Sequence, residues 1–493
     1  MRLRPDDHIS EDDLVEGRKS LVLDSAFASL TGALSGGVIL VAFALALGAG
    51  PVVIGVLAAI PYLAQAAQLP AIAIIERVRQ RRLIGVTTIT AARVVILAAA
   101  LIPFVPDRTL RLPLLIAAQI AICVLSSFGG CAVNSWLHQL VPRAALGAFF
   151  SGRLFWGTAV ACVGTLVAGL VVDHPYGGDR LHVFALAFVG AGLAGFASSW
   201  FLARAPEPVM PDGAPKTSIV DRLRKPFRDA AFSRVLVFMG AWTVASNVAA
   251  PFLAVYLLRQ LGYPLATVTS LWVTSQVANA FTLYAWGRVS DRLSNKAILA
   301  VALPVYFACT LGLVFADIHD HEMLRLALLY GFHIFMGAAS GGIGLATGNL
   351  GLKLAPQGEG TSYLAAIGLV SAVAGGIAPI ASGAVAEWFS TRELSVLVRW
   401  VSPARIGEVS VFDFAHWEFL FAISAMLGLY VMHALSRIGE GDEISERRVV
   451  QQFGLETLRS VNQLSSVGGM LGTLFSFGRL LERRRAARHG SLR

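Results

Sequence analysis

The sequence is poor in charge. Charged residues make up only 14% of its 493 positions, whereas hydrophobic residues make up 56% and the mean hydropathy is +0.66. Soluble globular domains carry about a quarter charged residues, so this composition excludes an ordinary soluble protein. Apolar stretches of the ~20 residues that a helix needs to cross a bilayer recur along the whole length. We therefore predict an all-α integral membrane protein.

Cysteine is also scarce, and the motifs of several protein classes are missing. The four cysteines fall inside predicted spans and none has metal-ligand spacing, so we expect no disulfide, metal or cofactor. The acidic and histidine-rich stretch 317–322 is interpreted as a solvated loop. No phosphate-binding loop is present, which argues against an ATP-driven pump. The N-terminus lacks the apolar segment of a cleavable signal peptide.

The hydropathy pattern predicts twelve spans, separated by short polar segments. Of the 40 Lys and Arg residues, 31 fall on the side of the N-terminus, 8 on the other side and one, Arg93, inside a span. The positive-inside bias then predicts an inner-membrane protein with both termini in the cytoplasm. The predicted spans are 21–47, 52–75, 83–104, 112–134, 148–172, 181–203, 235–258, 266–287, 297–316, 325–349, 361–389 and 415–436.

The longest internal polar segment divides six spans from six, and its proline-rich start and basic end are typical of a linker. The predicted organisation is a cytoplasmic N-terminal segment, a six-helix half, a cytoplasmic linker, a second half and an amphipathic cytoplasmic tail, at 1–20, 21–203, 204–234, 235–436 and 437–493.

The two halves repeat each other at an offset of about 215 residues. Ile72, Glu76 and Arg77 align with Gly287, Asp291 and Arg292, and further matches continue along both halves, such as Asp173 with Glu387. A nearly constant offset indicates an internal duplication. Because six spans preserve the direction of every helix, the halves are predicted to be parallel repeats facing each other across a central path.

GRVSDRLSNK, which begins at Gly287, resembles the loop motif of the major facilitator superfamily. Asp291, Arg292 and Lys296 match the motif, whereas Ser294 replaces its second glycine; the first copy keeps Arg77 but has Ile72 and Glu76. With twelve spans and a repeat, the chain looks like a superfamily member over residues 20–436. The resemblance implies the twelve-helix fold of a secondary transporter.

The charged loops allow two interpretations. An acid can accept hydrogen bonds at a helix start and pair with arginine, and the resemblance implies that Asp291 and Glu76 latch the halves together on the cytoplasmic side. A solvated positive-inside loop is the alternative, and it is favoured for the basic run at 79–82.

Ionisable residues inside spans are costly and therefore functional candidates. Asp24 is a candidate proton carrier or an acid paired with Lys19 or Arg18. Arg93 lies about 16 Å into span 3, at 1.5 Å per residue, where a structural tie to Gln65 or Gln68 is predicted.

The central path in the resembled fold is lined by spans 1, 4, 7 and 10. His333 is a second candidate for the coupling proton, with a satisfied core histidine as the alternative. The lining set is mostly neutral and suits a small organic solute with little negative charge. The candidates for this lining are Ser35, Gln119, Trp242, Asn247, Tyr256 and His333.

Beyond span 12 the tail carries apolar residues at intervals of three and four before a basic end. This pattern predicts an amphipathic helix that lies on membrane lipids or on the protein's own cytoplasmic loops.

The leading hypothesis is a monomeric secondary transporter that binds no nucleic acid and works by alternating access. A non-transporting assembly or scaffold protein of the same fold is the alternative. No nucleophile–base pair lies within the spans, so we predict no enzyme.

Overall fold

The computed structural model describes residues 5–6, 9–141, 146–174, 179–210, 219–292, 294–318, 321–356, 359–402, 405–439 and 449–456. The N-terminal half contains six helical spans, of which the first two are interrupted. The helices of spans 1 to 6, with the 3-10 turns that interrupt or follow them, are Glu11–Ser35 with Gly37–Ala46, Pro51–Leu63 with Ala64–Ala67 and Gln68–Val78, Arg81–Ala99 with Ile102–Phe104, Arg108–Leu140, Leu146–Asp173 and Arg180–Arg204.

A short linker helix, Ile219–Arg228, precedes the C-terminal half. Spans 7 to 12 are Ala230–Val255 with a π-helical turn Tyr256–Gln260, Leu265–Arg292, Asn295–Gly312 with a 3-10 turn Leu313–Ile318, Glu322–Leu354, Gly360–Phe389 and Glu418–Ser436.

Span 1 begins ten residues earlier than predicted because its start is capped. Ser10 accepts a hydrogen bond from the Asp13 backbone while the Asp13 side chain accepts one from the Ser10 backbone. This reciprocal capping box satisfies two N–H groups that a helix start leaves unpaired. The first turns of span 1 are therefore a polar extension of the helix.

Eleven of the described helices are long and apolar enough to cross a membrane. The twelfth, span 8, has 28 residues but is less apolar, since hydroxyl and amide side chains recur along it. Together they confirm the predicted all-α membrane fold.

The packing follows the predicted repeat. Span 1 packs on spans 5 and 6, and span 7 packs correspondingly on spans 11 and 12; span 3 packs on span 4 as span 9 does on span 10. The halves meet mainly where span 2 contacts span 11 and where span 5 contacts span 8. The repeat relates the two seams to each other, because spans 2 and 5 of the first half correspond to spans 8 and 11 of the second.

Both ends of the described chain lie on one face. Asp6 bonds to Glu207, which directly follows span 6, and Glu456 pairs with Arg288 at the end of span 8. We call this side the termini face and the opposite side the distal face.

Among the described residues, the hydrophobic core that the halves share lies near the distal face. There Phe43 and Ile54 of the first half lie in one cluster with Phe252, Ala378 and Leu420 of the second. Toward the termini face each half has a separate cluster of its own. The molecule is therefore closed at the distal face and parted toward the termini face.

An antiparallel hairpin lies between spans 11 and 12, and our sequence analysis did not predict it. Strand β1, Glu393–Ser402, pairs with β2, Arg405–Ala415, with a register irregularity after Val396. Alternating apolar residues in ELSVLVRWVS are typical of a strand, so a signal was present.

The linker is attached to both halves by its two ends. Glu207 is fully buried against the loop between spans 2 and 3, whereas Lys225 bonds to Glu359 at the start of span 11. The Glu359 hydrogen bond raises the pKa of Lys225.

Candidate functional site

Span 1 is interrupted within its apolar part. Its first helix ends at Ser35, Gly36 is extended, and Gly37 has a φ of +50°, a conformation that favours glycine. Open space surrounds the position where a Gly37 side chain would lie. The Ser35 hydroxyl donates to the Thr31 carbonyl at 2.8 Å, which satisfies one carbonyl at the break.

Span 7 carries an irregularity at the corresponding place. The 215-residue offset relates Gly36 to Pro251, which lies inside the helix. Proline has no N–H, so it leaves the carbonyl of Asn247 without its helical partner. Interrupted segments at corresponding positions of two repeats mark the binding site in many transporters. The candidate substrate site therefore lies between the break of span 1 and the Pro251 turn of span 7.

Four of the predicted lining residues lie on spans 1, 4 and 7. Ser35 stands at the break, and Asn247 is buried one turn before Pro251, donating to the Thr243 carbonyl at 2.9 Å. Gln119 and Trp242 are half-buried. Trp242 packs edge to face with Tyr306, with ring centroids 5.2 Å apart.

Tyr256 was predicted to line the path, and this prediction is wrong. Its side chain is 0% exposed, packs edge to face with Phe421 and donates its hydroxyl to the Leu313 carbonyl at 3.1 Å. His333 is also buried, with Nδ1 2.8 Å from the Leu329 carbonyl. This geometry corresponds to the satisfied core histidine that we gave as the alternative.

Asp24 lies at the centre of a buried polar cluster within the first half. Its carboxylate accepts hydrogen bonds from Arg153 of span 5 at 3.0 Å and from Ser198 of span 6 at 2.7 Å. Arg93 of span 3 lies near enough for its charge to act on Asp24. The cluster ties spans 1, 3, 5 and 6 together.

The partners predicted for these two charges are wrong. Neither Lys19 nor Arg18 pairs with Asp24, since Arg18 bonds to the Leu14 carbonyl. Gln65 and Gln68 bond to each other, and Arg93 instead packs its methylenes against Gly195. A glycine at that position leaves room for the arginine side chain.

Sequence reasoning missed Arg153 and Ser198 because no spacing connects them to Asp24. Arg153 was counted among the loop charges, although its side chain is only 18% exposed. Arg93 Nε, Arg153 Nε and Ser199 Oγ are buried without a hydrogen-bond partner within the described part of the chain. The cluster therefore holds more donors than acceptors.

None of the described contacts joins the two motif loops on the termini face to each other. Glu76 and Arg77 are exposed, and the surroundings of Gly287 are open. Lys296 donates to the Ser436 carbonyl at 3.3 Å, within its own half. The helix of span 8 continues through 291–292, whose side chains lie outside the described part of the structure.

The basic run at 79–82 is not a solvated loop, as was favoured. Arg81 and Arg82 are 2% and 7% exposed, and the Glu207 carboxylate accepts hydrogen bonds from both of their backbone N–H groups, at 2.7 and 3.1 Å. Glu207 thus caps the start of span 3, where helix N–H groups lack partners.

The corresponding loop of the second half is held by the C-terminal segment 449–456. Glu456, 1% exposed, pairs with Arg288 at 3.1 Å, and Phe453 stacks on Trp286 with centroids 4.0 Å apart. This part of the tail packs on the protein itself, at the termini-face end of the span 8 helix, and not on membrane lipids; 457–493 lie outside the described residues.

Comparison with known proteins places this architecture in a family. The model of the Major Facilitator Superfamily matches residues 25–379, and the chain belongs to this superfamily. None of the curated protein sequences matches it closely enough to be called a relative.

Solved structures share the fold. A mutant of the nucleoside transporter NupG aligns with a TM-score of 0.64 and 13% identity over 86% of this chain and 100% of its own. The D-xylose–proton symporter aligns at 0.60 and 13%, covering 87% and 97%. A bacterial homologue of the iron transporter ferroportin, in an inward-facing state, aligns at 0.59 and 13%, covering 87% and 99%.

Proposed function

We propose that this protein is a secondary transporter that moves a small organic solute across the membrane by alternating access. The observation that carries the proposal is the helix break at Gly36–Gly37 in span 1, at the position that the repeat relates to Pro251 inside the helix of span 7. Membership of a superfamily whose solved neighbours are transporters supports it. No observation favours a scaffold protein of the same fold.

The proposed orientation places the termini face in the cytoplasm of a cell with an inner membrane. The excess of Lys and Arg on that side, 31 against 8, supports this orientation. The conformation, closed at the distal face, then corresponds to a transporter open to the cytoplasm.

The proposed substrate carries little negative charge. The polar side chains along the path are neutral, with Ser35, Gln119 and Asn247 as hydrogen-bonding groups and Trp242 as an aromatic wall. Arg93 and Arg153, which lie inside spans of the first half, are placed around Asp24 and not at the path, where they could bind an anionic substrate. Asp24 stays the candidate for a coupled proton, whereas His333 has the contact of a core histidine.

A binding screen tests the proposal. The full-length protein is screened by thermal shift against neutral and zwitterionic metabolites and drugs, and each stabilising compound is titrated against two variants. Gly37→Val fills the open space at the break and is expected to weaken binding at least about tenfold, or ~1.4 kcal/mol. Gly190→Ala, in span 6 with ordinary contacts only, is the control.

Two outcomes count against the proposed site. Binding that is equally strong in Gly37→Val and in the parent places the substrate elsewhere. If the folded protein binds no compound of the panel at either of two pH values, the result favours the scaffold alternative.

A further inference from the structure

Span 5 and span 8, which belong to different halves, make their closest approach near the distal face. A Cβ atom at Gly169 would lie 2.2 Å from Thr269 Oγ1, so the Thr269 side chain packs directly against the Gly169 backbone. One turn closer to the distal surface, span 5 ends at Asp173. Its Oδ2 accepts a hydrogen bond from the backbone N–H of Ala266, across the seam, at 2.6 Å.

This contact supplies what the start of span 8 lacks. The first N–H groups of a helix have no partner within it, and the helix start carries a partial positive charge. Pro264, whose carbonyl begins the helix by accepting from Val268, has no side-chain acceptor. The carboxylate that caps span 8 in this structure therefore comes from the other half of the molecule.

The other seam lacks the equivalent contact. The repeat relates Asp173 to Glu387, near the end of span 11, which faces the start of span 2. Span 2 begins with Pro51, and Val52 holds the place in its first turn that Ala266 holds in span 8. Glu387 is exposed, and its side chain bonds to no described residue. The capping carboxylate is thus present at one seam only.

We propose that Asp173 is the distal latch of the transport cycle. Its carboxylate holds the halves together while the path is open to the termini face, and it releases Ala266 when the distal face opens. The inference rests on the proposed function, since a latch requires two states. On the termini face Glu76 is exposed in the same conformation, as a reciprocal latch requires.

The test measures the two states directly, without a substrate. Spin labels are attached at Arg108 and Met323, exposed distal positions on opposite halves, in the full chain with its four cysteines replaced. Electron–electron distance distributions then give the populations of distal-closed and distal-open molecules. Asp173→Ala is compared with Asp173→Asn, which keeps an acceptor but loses the charge, and with Glu387→Ala as the matched control.

We expect Asp173→Ala to raise the ratio of distal-open to distal-closed molecules by roughly 5- to 30-fold, the range typical of losing a helix cap. Asp173→Asn should give a smaller shift in the same direction, and Glu387→Ala none. An unchanged ratio in both Asp173 variants overturns the proposal, as does an equal shift in Glu387→Ala.

Two controls keep the result interpretable. If Asp173→Ala fails to fold, Asp173→Asn decides alone, because it preserves the shape of the side chain. Solute flux is measured separately in liposomes. A population shift without any flux contradicts the proposed function and supports the latch. Flux without a population shift supports the proposed function and contradicts the latch.

Discussion

The buried carboxylate of Asp24 interacts with two arginines of the first half. Arg153 pairs with it at 3.0 Å, Ser198 donates to it at 2.7 Å, and Arg93 lies nearby. Breaking a buried ion pair costs more than the pair itself contributes, because the remaining charge stays buried without a partner. The cluster should therefore be the most sensitive point of the first half.

We expect Asp24→Asn to lower the free energy of unfolding by about 3–5 kcal/mol, since it leaves Arg153 buried and uncompensated. The measurement is reversible unfolding in mixed micelles. Exposed Arg77→Met is the matched control, expected within about 0.5 kcal/mol of the parent.

The double variant Asp24→Asn with Arg153→Met tests whether the pair is the reason. Groups in direct contact show coupling energies of about 0.5–3 kcal/mol, so the double variant should be more stable than the two single losses predict. Strictly additive losses would contradict the direct pair and point to separate roles.

At the scale of elements, the interruption of span 1 depends on a glycine in a left-handed conformation. Gly37→Ala should lower the free energy of unfolding by about 1–2 kcal/mol, because a Cβ is strained at a φ of +50° even in open space. Gly32→Ala, in the helix of span 1 that precedes the break and also in open space, should be neutral or stabilising. Thermal unfolding of both variants decides; equal effects would mean that the break is not strained.

The seam between spans 2 and 11 is set by another glycine. A Cβ at Gly55 would lie 2.2 Å from the Pro379 carbonyl oxygen. We expect Gly55→Ala to cost about 1–3 kcal/mol by overpacking, and to increase labelling of cysteines placed along the distal seam. Gly368→Ala, in span 11 with nothing near it, is the control. An unaltered seam in Gly55→Ala would show that the helices separate there without cost.

Hydropathy and the repeat were enough to predict the twelve spans and the two-half fold, because both are patterns in the linear sequence. The partners of Asp24 were not predictable, since residues 24, 93, 153 and 198 come together only through the packing of four helices. Tyr256 was misassigned for the same reason: its span lines the path, but its side chain faces the core. Gly36–Gly37 and Pro251 were visible as glycine and proline in corresponding positions, and comparing the repeats there would have found the break of span 1.

At the scale of the whole molecule, each half has its loop on the termini face held by a buried glutamate from the segment that follows its sixth span. Glu207 caps span 3 of the first half, and Glu456 pairs with Arg288 of the second. These attachments stay within one half, so they stiffen each half without joining the two. Such rigid halves are what a rocking mechanism needs.

Phe453→Ala should release the C-terminal segment from the second half. Loss of the stack on Trp286 removes about 1–3 kcal/mol of local stability, so amide hydrogen exchange across 449–456 should quicken about 5- to 150-fold. Leu455→Ala, at a residue 55% exposed, should leave exchange unchanged. Unchanged protection in Phe453→Ala would show that Glu456 alone holds the segment.

The central claim, that a solute crosses between the break of span 1 and the Pro251 turn of span 7, is tested most directly by flux. The purified protein is reconstituted in liposomes, and uptake is measured by counterflow for each compound that stabilises it. We predict saturable uptake of at least one compound, with Gly37→Val at least about tenfold slower and Gly190→Ala equal to the parent. A folded protein that catalyses no uptake, or one whose uptake is unchanged by Gly37→Val, would contradict the account.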